Sequence, residues 1–181
     1  FDLYEATLDP RYLGEAKFFS EEMFKLFWDE SGGGFFFTGK DAEKLISRTK
    51  EVYDDAIPAG NSVATLSLLR VGRLTLNRTM EEWVRSTLNA FSAELNQFPS
   101  GYPQMLIALD FVVGPSYEIV IAGAESDPQT QAMVKEVYRR FLPNKVVALH
   151  PPEGQMAGKI RALTPFIEIQ LPIDCKPTAF V

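Results

Sequence analysis

The chain has 181 residues, of which 46% are hydrophobic and 12% aromatic, as in a packed globular domain. Its formal net charge of −6 comes from 24 acidic and 18 basic residues, without a long run of either sign. Nucleic acid needs a basic face and anionic membranes repel an acidic chain, so neither is an expected partner. A single His150 and a single Cys175 predict no metal site, no other cofactor and no internal disulfide, which suits a cytoplasmic location.

Capping residues and apolar spacings of three and four predict four or five helices before residue 114. After the end of a helix at the start of the chain, further helices begin at Asp9-Pro10, at Asn61 or Ser62, at Thr79 and near Tyr102-Pro103. The Thr79 helix has capping-box spacing to Glu82 and continues through Leu95. The helix after Ser62 is apolar on most sides, which is typical of an interior helix.

A faint internal repeat relates two of these helices. "TLDPRYLGEAKFFSEEMFKLF" begins at Thr7, and "TLNRTMEEWVRSTLNAFSAEL" begins 68 residues later at Thr75. Each copy has a short turn followed by a long amphipathic helix. Repeated helix pairs stack so that each hairpin buries its apolar face on the next. The pattern therefore predicts part of an (α/α) toroid built from helical hairpins.

The pattern changes after Gly114. The β-branched runs "SYEIVIAG" and "KVVALH" are separated by a helix-like segment, which predicts a βαβ unit with parallel strands. The tail "PTAFV" can add another strand, and Asp127 is a plain cap for the intervening helix. The predicted fold is mainly α, with partial toroid hairpins in residues 1–114 and a small α/β unit in residues 115–181.

The stretch "VYDDAIPAGNS" is the strongest candidate for a site, because it enters an interior helix through a turn. One of its carboxylates can do acid and base work on a sugar, although the adjacent Asp54 and Asp55 point apart. A second carboxylate then comes from elsewhere, either from Glu51 or from a helix that this chain lacks. The alternative is that both aspartates are ordinary loop or capping charges. His150 has no second His or Cys with which to form a triad or a metal site.

The segment "GGGFFFTGKD" offers glycines for close approach and rings for stacking on a sugar, with core packing as the alternative. We expect the Asp54 carboxylate to point into a concavity shared with this segment or with residues 102–104, and Asp55 to be solvated. The ligand-binding candidates are Asp54, Pro58, Gly60, Asn61, Ser62, Tyr102, Gln104 and Phe36.

Six stretches together resemble part of one protein family. They are "GGFFFTGKD", "VYDDAIPAGNSVATLSLLRVGRLT", "YPQMLIALDF", "GPSYEIVIAG", "LPNKVVALHPP" and "PIDCKPTAFV". The chain resembles the C-terminal part of the thioredoxin-domain-containing proteins that include the bacterial YyaL proteins and the spermatogenesis-associated animal members. The family stretch reads D-G-A-x-P-S-G-N-S, and this chain departs from it at Asp55 and Ala59.

The resemblance implies a thioredoxin-like domain followed by an (α/α) barrel similar to sugar epimerases and six-hairpin glycosidases. This chain then corresponds to a fragment that lacks the thioredoxin domain and the early barrel helices, and its helices expose apolar surface unless other chain covers it. Two functions follow as expectations. The barrel binds or converts a carbohydrate-like small molecule, or it is a non-catalytic substrate-binding or interaction module that serves the redox domain. Whether the protein is an enzyme stays open.

Overall fold

The computed structural model describes residues 1–43 and 46–181, which form helices and one small sheet. The helices are α1 (Asp2–Thr7), α2 (Pro10–Phe27), α3 (Gly60–Thr75), α4 (Arg78–Ala90), α5 (Ser92–Gln97), α6 (Pro103–Val113), α7 (Pro128–Arg139) and α8 (Gln155–Leu163). The strands are β1 (Tyr117–Ala122), β2 (Lys145–His150) and β3 (Thr178–Phe180). The predicted class, mainly α with a small α/β part, is confirmed.

The described chain divides into two compact units. The α/β unit comprises Phe1–Glu15, Arg73–Leu76 and Gly114–Val181, and the helical unit comprises Ala16–Gly72 and Asn77–Val113. The predicted division into residues 1–114 and 115–181 stays a prediction. The first segment belongs with the sheet because Tyr4 is buried there and its hydroxyl donates a 2.9 Å hydrogen bond to the Val147 carbonyl oxygen of β2.

Helix α2 begins where the sequence predicts. Pro10 occupies its first position, where a missing N–H costs nothing, and the Asp9 carboxylate accepts a 2.9 Å bond from the Arg11 N–H. Helix α3 is an interior helix, as predicted from its apolar residues. Its buried side chains include Ala64, Leu66, Leu68, Leu69, Val71 and Leu74.

Two predicted helix caps are wrong. Helix α3 begins at Gly60, so Asn61 and Ser62 lie inside its first turn and bond to other segments. Helix α4 begins at Arg78, and the Asn77 side chain accepts a 3.2 Å bond from the Met80 N–H in place of the predicted Thr79 box. A residue that is able to cap a helix does not mark the helix start when another residue accepts the hydrogen bonds of the free N–H groups.

The helix predicted to continue through Leu95 is broken at Phe91, which separates α4 from α5. The Ser92 hydroxyl donates a 2.8 Å bond to the Asn89 carbonyl oxygen, a local bond that competes with regular helix pairing. Among the described residues, six α-helices therefore begin before residue 114, where four or five were predicted.

The sheet has the order β2-β1-β3. Strands β1 and β2 are parallel, with register from Tyr117↔Lys145 to Ala122↔His150, and α7 connects them as in the predicted βαβ unit. The tail forms the short strand β3, antiparallel to β1. Both parallel strands are rich in buried residues, which is typical of a sheet covered on two faces. Asp127 caps α7 as predicted, with its carboxylate accepting from the Gln129 N–H at 3.0 Å.

Candidate functional site

The Asp54 carboxylate connects the starts of two helices. Its Oδ1 accepts a 2.8 Å hydrogen bond from the Ala59 N–H, directly before α3. Its Oδ2 accepts from the Gln104 N–H at 2.9 Å and the Met105 N–H at 3.3 Å, in the first turn of α6. A negative charge and an acceptor are both favourable at a helix start, where N–H groups have no partner within the helix. Asp54 thus caps α6 from a distant part of the chain.

These contacts indicate a structural role for Asp54. Asp54 is 8% exposed, and its main-chain N–H donates a 2.9 Å bond to the Gly101 carbonyl oxygen. Asp54 meets the expected neighbour, Gln104, but both carboxylate oxygens are bonded to main-chain N–H groups. Asp55 is exposed. The ligand-binding role suggested for Asp54 stays a prediction.

Asn61 connects α3 to two extended segments. Its Oδ1 accepts from the Phe35 N–H at 2.7 Å, and its Nδ2 donates to the Phe35 and Glu51 carbonyl oxygens, both at 2.8 Å. The neighbouring Ser62 hydroxyl donates to the Val52 carbonyl oxygen at 3.3 Å. Because a buried amide needs all its partners, these bonds fix the "GGGFFF" segment and the "EVYDD" segment against α3.

The "GGGFFF" segment turns back along the end of α2. Gly33 and Gly34 have φ angles of 70° and 74°, the left-handed region that suits glycine. After this turn Phe35 forms an antiparallel bridge with Trp28, and the Phe36 N–H donates a 2.8 Å bond to the Phe27 carbonyl oxygen. The turn therefore brings the rings of this segment to the C-terminal end of α2.

A cavity of about 260 Å³ lies in the helical unit beside this turn. Its lining residues are Met23, Phe27, Phe35, Phe36, Phe37, Glu51, Gly60, Asn61 and Ala64. Ligand cavities are mostly apolar with a few polar groups that fix orientation, and those for drug-sized molecules begin at about 300 Å³. This cavity matches that composition, at a size suited to one small ring.

The polar groups of the cavity are few. Asn61 is engaged by the main chain, whereas the exposed Glu51 carboxylate has no hydrogen-bond or ion-pair partner among the residues that the structure describes. A carboxylate beside aromatic rings can accept hydrogen bonds from ligand hydroxyl groups. Within the described part of the chain, the Glu51 carboxylate thus has acceptor capacity that a ligand could use.

Two cations contact the ring of Phe36. The Arg48 guanidinium lies 4.1 Å from the ring centroid, and the Lys50 ammonium lies 5.2 Å from it. Lys50 also forms a 2.6 Å ion pair with Asp29. The hydrogen bond from Lys50, followed by those from Ser31, holds the pKa of Asp29 well below its usual range. These contacts position one wall of the cavity.

The structure brings three of the predicted ligand-binding residues to the cavity, namely Phe36, Gly60 and Asn61. The remaining five, Asp54, Pro58, Ser62, Tyr102 and Gln104, are not among its lining residues. The prediction grouped them because they are close in sequence or in the family pattern. Their side chains differ in environment, since Ser62 is fully buried and Pro58 is exposed.

An exposed aromatic pair in the helical unit, Tyr53 and Phe98, was not predicted. The rings of Tyr53 and Phe98 are nearly parallel, at an interplanar angle of 7° with centroids 6.5 Å apart. Tyr53 also contacts Tyr102 edge-on, at 5.8 Å between centroids. The sequence carried no signal for this pair, because 45 residues separate the two rings.

The remaining titratable candidates lie elsewhere. His150 is buried in the α/β unit, and its Nδ1 is 2.7 Å from the Gln170 carbonyl oxygen. Cys175 is an exposed free thiol. Within residues 1–43 and 46–181 no cluster of three potential metal ligands is found. In the same part of the chain, no helix has both the length and the hydropathy to cross a membrane.

Fold and site together define a mainly helical protein with a βαβ unit and a cavity lined by phenylalanine rings. No family model matches the chain. It is 32% identical over 181 residues to spermatogenesis-associated protein 20 of Homo sapiens, a match that covers 99% of this chain and 23% of the relative. The proteins of the same name from Rattus norvegicus and Mus musculus are 30% and 29% identical, with the same coverage.

These relatives are homologues of the chain. The matches fit a chain that is one segment of a larger protein of the spermatogenesis-associated protein 20 family. The resemblance predicted from the six sequence stretches is confirmed to that extent. The chain spans about a quarter of the length of these relatives, 23% in each case. The thioredoxin-like domain and the closed barrel that the resemblance implies stay predictions.

Proposed function

We propose that the cavity of the helical unit binds a carbohydrate-like small molecule. The observation that carries this proposal is a cavity of about 260 Å³ lined by four phenylalanines and by Glu51, whose carboxylate has no partner within residues 1–43 and 46–181. The family resemblance implies a barrel similar to sugar epimerases and six-hairpin glycosidases, and this supports the same ligand class.

The chemistry of the cavity suits a sugar ring. An aromatic face carries partial negative charge, so it attracts the weakly positive C–H groups on one face of a sugar. The hydroxyl groups at the edge of that sugar need acceptors, and Glu51 supplies one. Asn61 holds the main chain of Phe35 in place, so the site needs little rearrangement when the ligand enters.

The geometry favours binding over conversion. Glycoside hydrolysis commonly uses two carboxyl groups on opposite sides of the bond that breaks. Glu51 lines the cavity, whereas Asp54 is bonded to three main-chain N–H groups and is not a lining residue. Conversion of a sugar therefore requires a second acid or base in addition to Glu51, so we propose binding as the function.

Calorimetric titration of the intact protein with glucose, mannose and N-acetylglucosamine tests the proposal. Phe37→Ala removes a cavity ring, and Phe19→Ala is its matched control, because Phe37 and Phe19 are 65% and 62% exposed and only Phe37 lines the cavity. We expect Phe37→Ala to weaken binding roughly threefold to tenfold, the value of one aromatic contact, and Phe19→Ala to leave it unchanged.

Glu51→Gln tests the carboxylate in the same titrations, with the exposed Glu82→Gln as its control. A hydrogen bond to a charged group is stronger than one to a neutral amide, so we expect roughly a threefold to tenfold loss for Glu51→Gln alone. Absence of binding for all three sugars, or equal losses in all four variants, would contradict the proposal.

The alternative is a non-catalytic interaction module that serves a redox domain, as the resemblance implies. The adjacent rings of Phe18 and Phe19 favour it, since both are exposed on α2 with centroids 5.4 Å apart. This function predicts that a separately produced thioredoxin-like domain of the family binds the protein directly. Phe19→Ala would then weaken the complex, and Phe37→Ala would not.

The cellular setting is part of the proposal. We infer a cytoplasmic location, which is compatible with the free thiol of Cys175. We also propose that a thioredoxin-like domain and further barrel helices accompany this segment in the larger protein. Separation of the intact cell into compartments, with immunodetection of the protein, checks the location.

A further inference from the structure

We propose that Tyr53 and Phe98 form a second carbohydrate subsite next to the cavity, so that the ligand is an oligosaccharide and not a single sugar. The inference rests on the proposed function of the cavity and adds the ligand's length. Both rings belong to the helical unit.

The two exposed rings are stacked in parallel, with centroids 6.5 Å apart, and the pair is called the platform below. They are parallel to within 7°, and the side chains are 54% and 52% exposed. Large aromatic side chains left exposed together are typical of binding surfaces. Gly101 lies against both rings, since a Cβ placed there would come within 2.7 Å of Phe98 Cδ1 and of Tyr53 Cε2. A residue without a side chain thus permits the close arrangement of the pair.

The platform is fixed by the surrounding main chain. The Asp54 N–H donates to the Gly101 carbonyl oxygen at 2.9 Å, and the Asp54 carboxylate holds the start of α6. Tyr102 contacts the Tyr53 ring edge-on from the next position after Gly101. Rings held in this way lose little conformational freedom when a ligand stacks on them, which favours recognition.

The platform continues from the cavity. Glu51 and Tyr53 are exposed, whereas Val52 between them and Asp54 after them are buried. Glu51 and Tyr53 therefore share the solvent side of one segment, and two residues of chain span at most about 7 Å. Since Glu51 also lines the cavity, a ligand that fills the cavity needs only a short extension to reach Tyr53.

An oligosaccharide fits this arrangement by its chemistry. It presents a series of rings, each with a face of C–H groups that can stack on an aromatic ring. One ring occupies the cavity beside Glu51, and the next rings stack on the platform. A single sugar uses only the first of these contacts.

The test compares each sugar with its oligomer by calorimetric titration of the intact protein. The pairs are N-acetylglucosamine with its β-1,4-linked tetramer, and glucose with cellotetraose and maltotetraose. We expect one tetramer to bind at least roughly threefold more tightly than its monosaccharide, because it gains aromatic contacts. Phe98→Ala should remove that gain and leave the monosaccharide affinity unchanged.

Three further variants make the result specific. Phe98→Leu keeps apolar volume without a ring and should also lose the gain, whereas Tyr53→Phe keeps the ring and should retain it. Phe141→Ala removes an exposed ring of the α/β unit and should change nothing. Thermal unfolding of each variant confirms that it is folded.

The outcomes separate the two proposals. Equal affinity of monosaccharides and tetramers, or a gain that survives Phe98→Ala and Phe98→Leu, overturns the platform and leaves the cavity proposal intact. Absence of binding for every sugar overturns the cavity proposal, and the platform fails with it.

Discussion

Replacing Asp54 by Asn tests the interpretation of this residue as a structural cap. The carboxylate accepts three main-chain N–H groups, from Ala59, Gln104 and Met105. Asn keeps one acceptor oxygen, which can serve α6 or the start of α3 but not both. Its amide group then faces main-chain N–H groups, so at least one of the three donors loses its acceptor. Hydrogen bonds to charged groups contribute about 1.5–3 kcal/mol each, so we expect a loss of about 2–4 kcal/mol.

The measurement is unfolding in guanidinium chloride, followed by far-ultraviolet circular dichroism. Asp55→Asn is the matched control, because it makes the same change of charge at the adjacent, exposed position. An exposed substitution of this kind changes the free energy of unfolding by about 0.5 kcal/mol or less. If the two variants are equally stable and only Asp54→Asn loses ligand binding, the structural interpretation is wrong and Asp54 faces the ligand.

Three further variants test other parts of the fold. Asn61→Ala leaves the Phe35 N–H without its acceptor, so we expect a loss of about 2–4 kcal/mol in the same unfolding experiment. Tyr4→Phe removes the hydroxyl bond to the carbonyl of β2, which should cost about 1–2 kcal/mol and speed hydrogen exchange in that strand. The hydrogen bond from Lys50 lowers the pKa of Asp29 in the folded protein below the unfolded value of about 3.9. The stability that Asp29 contributes is therefore fully present above the unfolded pKa, and it is lost as the pH falls through the folded pKa. The difference in unfolding free energy between the wild type and Asp29→Asn should be constant from about pH 7 to 5 and should shrink below about pH 4. A difference that does not depend on pH would contradict the ion pair.

Features that depend on neighbouring residues could be predicted from the sequence. The β-branched runs on either side of a helical pattern gave the parallel pair β1 and β2. Asp127 caps α7 as predicted, and Pro103 opens α6. In each case the residues that interact are a few positions apart, so spacing alone carries the information.

Features that depend on distant residues could not be predicted. Asp54 caps α6 across 50 residues, and Asn61 bonds Phe35 across 26 residues. Asn61 has the chemistry of a helix cap, but those tertiary partners use its oxygen and its amide. The Tyr53–Phe98 pair likewise joins two segments that are 45 residues apart, and Gly101 packs against both rings. The type of each residue was visible in the sequence, whereas its partners were not.

The aromatic signals of the cavity test the central claim most directly. With ¹³C-labelled phenylalanine in the intact protein, two-dimensional NMR follows each ring as N-acetylglucosamine, glucose or mannose is added. We predict that the signals of Phe36 and Phe37 shift and saturate together with one of these sugars, because both rings line the cavity. The signal of Phe141, an exposed ring of the α/β unit, should not move. Unchanged Phe36 and Phe37 signals with all three sugars, or equal shifts at Phe141, would contradict a carbohydrate site in this cavity.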